Sequence, residues 1–196
     1  FTKRNYVFQT GPEAIGEELS IDVPIDLDYR QFLDNVAHNF PDGQVDPILL
    51  FETSRGCWWG ERAHCTFCGL NGASMAYRAM SPERALKQFE SLFEYAPRAS
   101  RMDAVDNILP KSYLQEVLPH LKTPDNVAMF YEVKADLSES DVQTLANARV
   151  RFIQPGIESP ATSTLKLMKK GTSAFRNLAL LKFCAMYNIE PIWNLL

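Results

Sequence analysis

The fold of this chain is most constrained by a repeated alternation between short apolar runs and amphipathic segments, which begins at residue 48. Five runs have the length of a strand, and most are rich in β-branched or aromatic residues: 48–51, 104–109, 127–131, 150–157 and 189–195. Because they show no clear alternation of apolar and polar residues, they are typical of strands buried on both faces of a parallel sheet. The pattern predicts an α/β fold built from βαβ units, either an open parallel sheet or a partial (β/α) barrel. Five strands are too few to close an eight-stranded barrel.

Four of the segments between the runs are predicted to be helices: 81–95, 111–121, 138–147 and 173–187. The first begins with Ser81 as the N-cap, followed by Pro82 in the first turn and by the acid Glu83. Residues 1–47 differ, because they hold four prolines, many acids and a single helix-like stretch near 29–39. We predict a linker or wrapping arm over 1–47 and a core domain over 48–196.

Composition restricts the possible partners of the chain. Of its 196 residues, 46% are apolar and 22% are charged, and the formal net charge is −4. An acidic chain is not expected to bind nucleic acid or an anionic membrane through charge alone. No apolar stretch approaches the roughly 20 residues of a membrane-spanning helix, and the N-terminus has no signal-peptide pattern. We therefore expect a cytoplasmic protein.

The two ends of the sequence bear on its completeness. The chain starts at Phe1 rather than at methionine, and it stops in an apolar run at Leu196 with no turn or helix cap. These features predict a fragment of a longer protein, with a barrel truncated at its C-terminal side.

Polar residues lie at the ends of the predicted strands: Glu52, Asp106, Asn107, Glu132, Glu158 and Asn194. The carboxyl ends of parallel strands meet at one edge of a sheet, so these side chains are expected to line a single site. Each could instead cap a neighbouring helix or pair with a nearby cation. As a set they favour a ligand, because acids and amides gathered at one place are costly to desolvate without one.

A cysteine loop follows the first predicted strand. Cys57, Cys65 and Cys68 have the spacing C-x7-C-x2-C within SRGCWWGERAHCTFCGLNG, which also contains several glycines. A disulfide would leave one thiol unpaired, and zinc would need a fourth ligand, for which His64 is available beside Cys65. An iron–sulfur cluster with three thiolates would keep one iron open to a small molecule. The residues themselves leave the zinc and cluster readings open.

The cysteine loop and three later segments resemble the radical S-adenosylmethionine (SAM) enzymes, over roughly residues 50–196. The later segments are VDNILP at 105–110, FYEVKADLS at 130–138 and QPGIESPATSTLKLMKKG at 154–171. Most members of that family have the spacing C-x3-C-x2-C. The longer C-x7-C-x2-C is similar to a subgroup of cobalamin-dependent C-methyltransferases that mature ribosomally made peptides, including bacteriocins.

The resemblance implies a set of cofactor contacts. Cys57, Cys65 and Cys68 would bind three irons of a [4Fe–4S] cluster, and the fourth iron would take the amino and carboxylate groups of SAM. Phe67 would flank the adenine. Family members commonly hold the methionyl amino group with a glycine-rich acidic motif, where this chain has Asp106 and Asn107. The remaining contacts to the methionyl carboxylate and ribose would come from a group at the strand ends: Glu132, Lys134, Glu158, Ser159 and Asn194.

The implied activity is reductive cleavage of SAM to a 5′-deoxyadenosyl radical, which modifies, and in this subgroup C-methylates, a precursor peptide. The implied partners are that peptide and an electron donor such as flavodoxin or ferredoxin. Cobalamin would need a domain outside this chain, because nothing in residues 1–47 resembles one. Two alternatives are a radical SAM enzyme that does not methylate and a non-catalytic zinc-stabilised interaction module.

Overall fold

The computed structural model describes residues 19–69 and 76–196. The first 18 residues of the predicted arm and the end of the cysteine motif, Leu70 to Gly72, lie outside the described residues. The helices are α1 (Arg30–Asn39), α2 (Trp58–Ala63), α3 (Pro82–Phe93), α4 (Tyr113–Glu116), α5 (Glu139–Asn147), α6 (Thr162–Leu167) and α7 (Ala174–Met186). The strands are β1 (Ile48–Phe51), β2 (Ser54–Arg55), β3 (Arg78–Ala79), β4 (Arg101–Ala104), β5 (Ala128–Val133), β6 (Val150–Pro155) and β7 (Glu190–Pro191).

The larger sheet in the described part of the chain has five strands in the order β1-β4-β5-β6-β7, and all neighbours are parallel. Strands β2 and β3 form a separate antiparallel pair at the two sides of the cysteine loop. Helices connect successive strands of the large sheet, so their carboxyl ends share one edge. The predicted α/β fold with five parallel strands is confirmed.

Burial alternates along the strands of the large sheet. In β5, Met129, Tyr131 and Val133 are buried, whereas Phe130 and Glu132 are half-buried. The expectation that these strands are buried on both faces is therefore wrong. One face packs into the hydrophobic core, and the alternate residues line the open inner side of the partial barrel.

Aromatic side chains fill the centre of the core. The Phe51 ring lies 5.2 Å from the Phe89 ring of α3 and 5.8 Å from the Tyr131 ring of β5, with both pairs edge-on. Edge-to-face pairs at these distances stabilise a core beyond the apolar area that they bury. Strand β1, from which the cysteine loop leaves, is thus fixed on its buried face by α3 and β5.

The second strand of the sheet begins and ends earlier in the sequence than predicted. A run over 104–109 was expected, but β4 covers Arg101–Ala104. Arg101 and Asp103 point to the inner side and pair with each other, and the Arg101 guanidinium lies 3.6 Å from the centre of the Phe152 ring. A search for apolar runs misses such a strand because two of its four residues are charged.

Two further elements are shorter than predicted. The helix expected over 111–121 is α4 followed by a 3₁₀ turn, Leu118–His120, since Pro119 has no N–H for an α-helical bond. The last strand is limited to Glu190–Pro191, with an isolated parallel bridge between Glu158 and Leu195. The helices expected at 81–95, 138–147 and 173–187 are confirmed as α3, α5 and α7, each with its serine N-cap.

The described part of the predicted arm lies against the core. Leu33 of α1 is buried, and Leu27 and Tyr29 pack against the core at their partly buried positions. The Asp22 carboxylate accepts a hydrogen bond of 2.8 Å from the backbone N–H of Ser81, the residue that caps α3. The arm therefore touches the chain where it re-enters the core after the cysteine loop. Among the described residues, no helix has the length and apolar character needed to cross a membrane.

Replacing Ser138 with alanine is expected to destabilise the chain by about 1 kcal/mol, the usual cost of losing an N-cap. The Ser138 hydroxyl accepts from the Asp141 N–H while the Asp141 carboxylate accepts from the Ser138 N–H, which makes a capping box. Urea unfolding followed by circular dichroism measures the change. The matched control is Ser112→Ala at the N-cap of α4, where the side chain makes no cap bond, so an equal loss in both variants would contradict the assignment.

Candidate functional site

A cavity of about 260 Å³ opens at the carboxyl ends of the parallel strands, beneath the cysteine loop. Its size is comparable with the smallest small-molecule sites of proteins, which begin at roughly 300 Å³. Its wall includes nine of the eleven residues predicted from the sequence: Cys57, Cys65, Phe67, Cys68, Asn107, Glu132, Lys134, Glu158 and Asn194. The structure therefore brings the cysteine loop and the polar strand ends to one place. Asp106 and Ser159 do not line this cavity.

Local geometry explains how the cysteine loop leaves the sheet. Cys57 is the N-cap of α2, and its sulfur accepts the backbone N–H of Gly60 at 3.4 Å. Gly56 has a φ of +80°, and a Cβ on this residue would overlap the carbonyl oxygen of Ala76. Only glycine suits that position, because it combines a left-handed backbone with a close approach of another segment.

The second part of the loop is tightened by short-range bonds. The Cys68 N–H donates to the Cys65 carbonyl at 3.1 Å, and the His64 Nε2 lies 3.1 Å from the Cys68 carbonyl. His64 is thus engaged with the backbone of its own loop. In the described residues, no group of three or more His, Cys, Asp or Glu side chains is arranged to hold a metal ion. The three cysteines all line the wall of the cavity.

The charges around the Cys65 thiol shift its pKa in opposite directions. Burial raises the pKa of the Cys65 thiol, and the nearby Lys170 ammonium lowers it, while the other two cysteines and Glu158 raise it further. Lys170 Nζ is 3.0 Å from the Glu158 carboxylate, and both side chains are largely buried. It also lies 5.6 Å from the centre of the Phe67 ring. Lys170 is therefore the cation that faces the cysteines and the ring.

A second cation on the wall of the cavity is Lys134. Lys134 Nζ is 3.0 Å from the Asp136 carboxylate and 4.4 Å from the centre of the Trp59 ring, and it donates to the Gly171 carbonyl at 3.3 Å. The lysine is buried. Burial of a charged ammonium requires such partners, and the three contacts supply them.

Asp106 is fully buried behind the cavity and joins the ends of two strands. Its carboxylate accepts hydrogen bonds from the Thr53 N–H at 2.7 Å, from the Thr53 hydroxyl, and from the Ser54 hydroxyl at 2.9 Å. Burial raises the pKa of Asp106 to about 6, and these donors oppose the shift. Asp106 therefore holds the first residues of the cysteine loop, and the adjacent Asn107 lines the cavity in its place.

The other strand-end residues divide between the cavity and local contacts. Glu132 lines the cavity, and burial, followed by the charge of Asp106, raises the pKa of its carboxyl group. Ser159 is buried, and its hydroxyl accepts the N–H of Ala161. Glu52 pairs with Arg55 at 2.7 Å, which is the local role considered as the alternative for each of these acids.

Several residues of the site were not among those predicted to contact cofactors. Lys170 stands in the sequence Lys169-Lys170-Gly171, and two lysines followed by glycine are typical of a helix C-terminus rather than of a cofactor site. Gln154 of β6 lines the cavity from the inner side of the barrel, and Trp59 lines it from α2. A search confined to strand ends cannot find Lys170, since it reaches the cavity from the turn after α6.

Comparison with known proteins gives matches among solved structures only. No protein-family model matches the chain, and no curated protein sequence does. The cobalamin-dependent SAM radical enzyme OxsB, solved with aqua-cobalamin and SAM bound, is similar with a TM-score of 0.60 and 21% identity. That similarity covers 74% of this chain and 23% of OxsB.

Two other structures share the architecture. The radical SAM methyltransferase TsrM from Kitasatospora setae, solved with cobalamin and a [4Fe–4S] cluster, has a TM-score of 0.60 and 18% identity over 76% of this chain and 29% of its own. Methylornithine synthase, PylB, has a TM-score of 0.52 and 13% identity over 86% of this chain and 52% of its own. The fold is the partial (β/α) barrel of the radical SAM enzymes. The chain spans about a quarter of the length of OxsB.

The buried carboxylate of Asp106 is expected to make the stability of the chain depend on pH. Its pKa rises from 3.8 to about 6 on folding, so its contribution is most favourable below pH 4 and is lost as the pH rises through 6. We expect a loss on the order of 3 kcal/mol across this window, and Asp106→Asn should flatten most of it. Urea unfolding at several pH values measures this, with the exposed Asp42→Asn as the control. An unchanged profile in Asp106→Asn would contradict the assignment.

Proposed function

We propose that this chain is the core of a radical SAM enzyme, which binds a [4Fe–4S] cluster through Cys57, Cys65 and Cys68 and binds SAM in the cavity beside it. The observation that carries the proposal is that the three thiols and Phe67 share one cavity with the polar strand-end residues. A disulfide or a set of unrelated core cysteines would not require that convergence. The likeness in fold to OxsB and TsrM supports the same reading.

The donor set fits this cofactor. Iron–sulfur clusters are normally held by four cysteine thiolates, and three here would leave one iron free for the amino and carboxylate groups of SAM. When bound and reduced, the cluster supplies the electron that cleaves SAM to methionine and a 5′-deoxyadenosyl radical.

The side chains around the cavity bind and orient SAM. The Phe67 ring is 45% exposed and lies beside Cys68, where it can stack on the adenine. Glu132, Asn107 and Asn194 offer oxygen and amide groups for the methionyl amino group and the ribose hydroxyls. Asp106 acts indirectly in this proposal, through Thr53 and Ser54, so the contact first assigned to the Asp106-Asn107 pair falls to Asn107.

The two lysines set the charge of the cavity. Lys170 and Lys134 both place positive charge on the wall of the cavity, which suits the carboxylate of SAM and the negative charge of three thiolates. Glu158 balances Lys170 in the absence of ligand. Trp59 and Phe67 cover the cysteines with aromatic surface and limit the access of water, and solvent exposure is one of the factors that set the potential of a cluster.

The specific reaction proposed is C-methylation of a ribosomally made precursor peptide. It rests on the resemblance of the C-x7-C-x2-C loop to the peptide-maturing subgroup, together with the fold shared with cobalamin-dependent enzymes. The cobalamin would bind to a domain outside this chain, and the reductant would be a flavodoxin or ferredoxin. We place the enzyme in the cytoplasm on the same basis.

A second candidate is a radical SAM enzyme that does not transfer a methyl group. The observation that favours it is that the residues lining the cavity account for the cluster and SAM, which both kinds of enzyme bind. The same cavity and cofactor contacts serve both candidates, since they differ only in the step after SAM cleavage.

Replacing Cys57 with alanine should abolish cluster binding and SAM cleavage, because two thiolates cannot replace three. After anaerobic reconstitution, the wild-type chain should hold about four iron and four sulfide. With dithionite and SAM, it should form 5′-deoxyadenosine and methionine, and Cys57→Ala should form neither above background.

The matched control is Cys184→Ala, which removes a thiol that is buried in the core far from the cavity wall. It should cost stability but retain iron and cleavage. Cleavage at the wild-type rate in Cys57→Ala would reject the proposal. One zinc per chain in the native protein, with no iron after reconstitution, would favour the zinc-stabilised module instead.

Mass spectrometry of a reacted peptide separates the two candidate reactions. The full-length enzyme, with cobalamin and a precursor peptide encoded beside its gene, should add one CH₂ to the peptide. A product without this gain, formed along with 5′-deoxyadenosine, would favour the non-methylating enzyme. Omission of cobalamin is the control, and it should abolish methylation while SAM cleavage continues.

A further inference from the structure

The turn after α6 contacts the cysteine loop through three backbone carbonyls. The Thr66 N–H donates to the Met168 carbonyl at 3.1 Å, and the Thr66 hydroxyl donates to the Leu167 carbonyl at 3.3 Å. The indole N–H of Trp59 donates to the Lys169 carbonyl at 3.0 Å. Both parts of the loop, α2 and the segment between Cys65 and Cys68, are therefore bonded to residues 167–171.

The helix end explains why these carbonyls are available. An α-helix leaves its last four carbonyls without partners inside the helix, and α6 ends at Leu167 with Met168 as its C-cap. The cysteine loop donates hydrogen bonds to two of these carbonyls, those of Leu167 and Met168, and a third to the Lys169 carbonyl just beyond the C-cap. The loop thus supplies hydrogen-bond donors to the C-terminal end of α6, and α6 in turn provides a fixed surface for the loop.

Gly171 and Trp59 form the closest contact of this surface. Gly171 has a φ of +65°, and a Cβ on it would overlap the six-membered ring of Trp59. The Lys134 ammonium lies 4.4 Å from the same ring and bonds to the Gly171 carbonyl. The indole is therefore fixed by a hydrogen bond, by a cation and by a backbone that has no room for a side chain.

We propose that residues 167–171 are a seat that fixes the cysteine loop over the cavity, with Gly171, Trp59 and Thr66 as positioning residues. The seat sets where Cys57, Cys65 and Cys68 stand relative to one another, and the Lys170 that it carries faces Phe67. The proposal rests on the proposed function only in assigning a [4Fe–4S] cluster to the loop. The contacts that define the seat are all within this chain.

The test is the rate at which a thiol reagent labels the three loop cysteines in the metal-free, full-length chain. Gly171→Ala should displace Trp59 and free the loop, so that Cys57, Cys65 and Cys68 react about tenfold faster, which corresponds to about 1.4 kcal/mol lost from the contacts that hold the loop. Buried Cys184 is the internal reference and should stay slow, because burial also raises the pKa of its thiol to about 11.

Gly43→Ala is the matched control. Gly43 has a φ of +68°, nearly the same as Gly171, but a Cβ there meets no atom within 4 Å. It introduces the same backbone strain without the contact, so labelling of the loop cysteines should match the wild type. Equal acceleration in the two alanine variants would overturn the seat.

Two further variants keep the test decisive if Gly171→Ala unfolds the chain. Thr66→Val removes the bond to the Leu167 carbonyl at an exposed position and should speed labelling of Cys65 and Cys68 about threefold, with an unchanged melting temperature. Trp59→Ala removes the ring that a Cβ at residue 171 would strike, so Gly171→Ala should have little further effect in that background. The seat is refuted if Thr66→Val labels at the wild-type rate, or if Gly171→Ala acts equally with and without Trp59.

Iron loading separates this inference from the proposed function. If the wild type binds a cluster, Gly171→Ala and Thr66→Val should lose it faster to a chelator, in the same order as their labelling rates. A wild type that binds no iron would refute the proposed function, while the labelling experiment would still decide whether the seat exists.

Discussion

The cysteine loop leaves the sheet at Thr53 and Ser54, and one buried carboxylate binds both residues. Asp106 accepts three hydrogen bonds there, although burial alone would favour its neutral form. A buried carboxylate is stable only when its oxygens are bonded, so any displacement of the loop would leave a charge without partners. The position of the first cysteine therefore depends on a residue that does not line the cavity.

The middle of the loop, around Trp59 and Thr66, is held in place by a different kind of contact. The carbonyls at the end of α6 accept hydrogen bonds from Thr66 and Trp59, and Gly171 allows the indole to lie directly on the backbone. The loop is thus fixed at its start by a charge and at its middle by a helix end. Held in this way, the loop lines one cavity with its three cysteines and the polar strand ends, and the proposed cluster and SAM site rests on that arrangement.

The sequence predicted much of this arrangement, and its failures have definite causes. The spacing of the cysteines and the polar strand ends led to seven residues that line one cavity, and the family resemblance added Phe67 and Lys134. The strand β4 was misplaced because Arg101 and Asp103 interrupt its apolar pattern, and their pairing on the inner face is a tertiary property. That error put Asp106 and Asn107 inside a strand, whereas both follow it. Ser159 was predicted from its neighbour Glu158, but the two side chains point to different surroundings.

By itself, the sequence determined the fold class, the order of the main elements, and the cysteines and polar strand ends of the candidate site. These follow from local patterns, namely apolar runs of strand length, serine caps and cysteines at fixed spacing. Only the tertiary structure decided which member of the Asp106-Asn107 pair lines the cavity, that one face of the sheet is left open, and that Lys170 and Gly171 meet the cysteine loop. Those outcomes depend on contacts between residues up to about a hundred positions apart, such as Thr66 and Leu167. No periodicity along the chain records a contact of that kind, because it arises only when separate elements pack together.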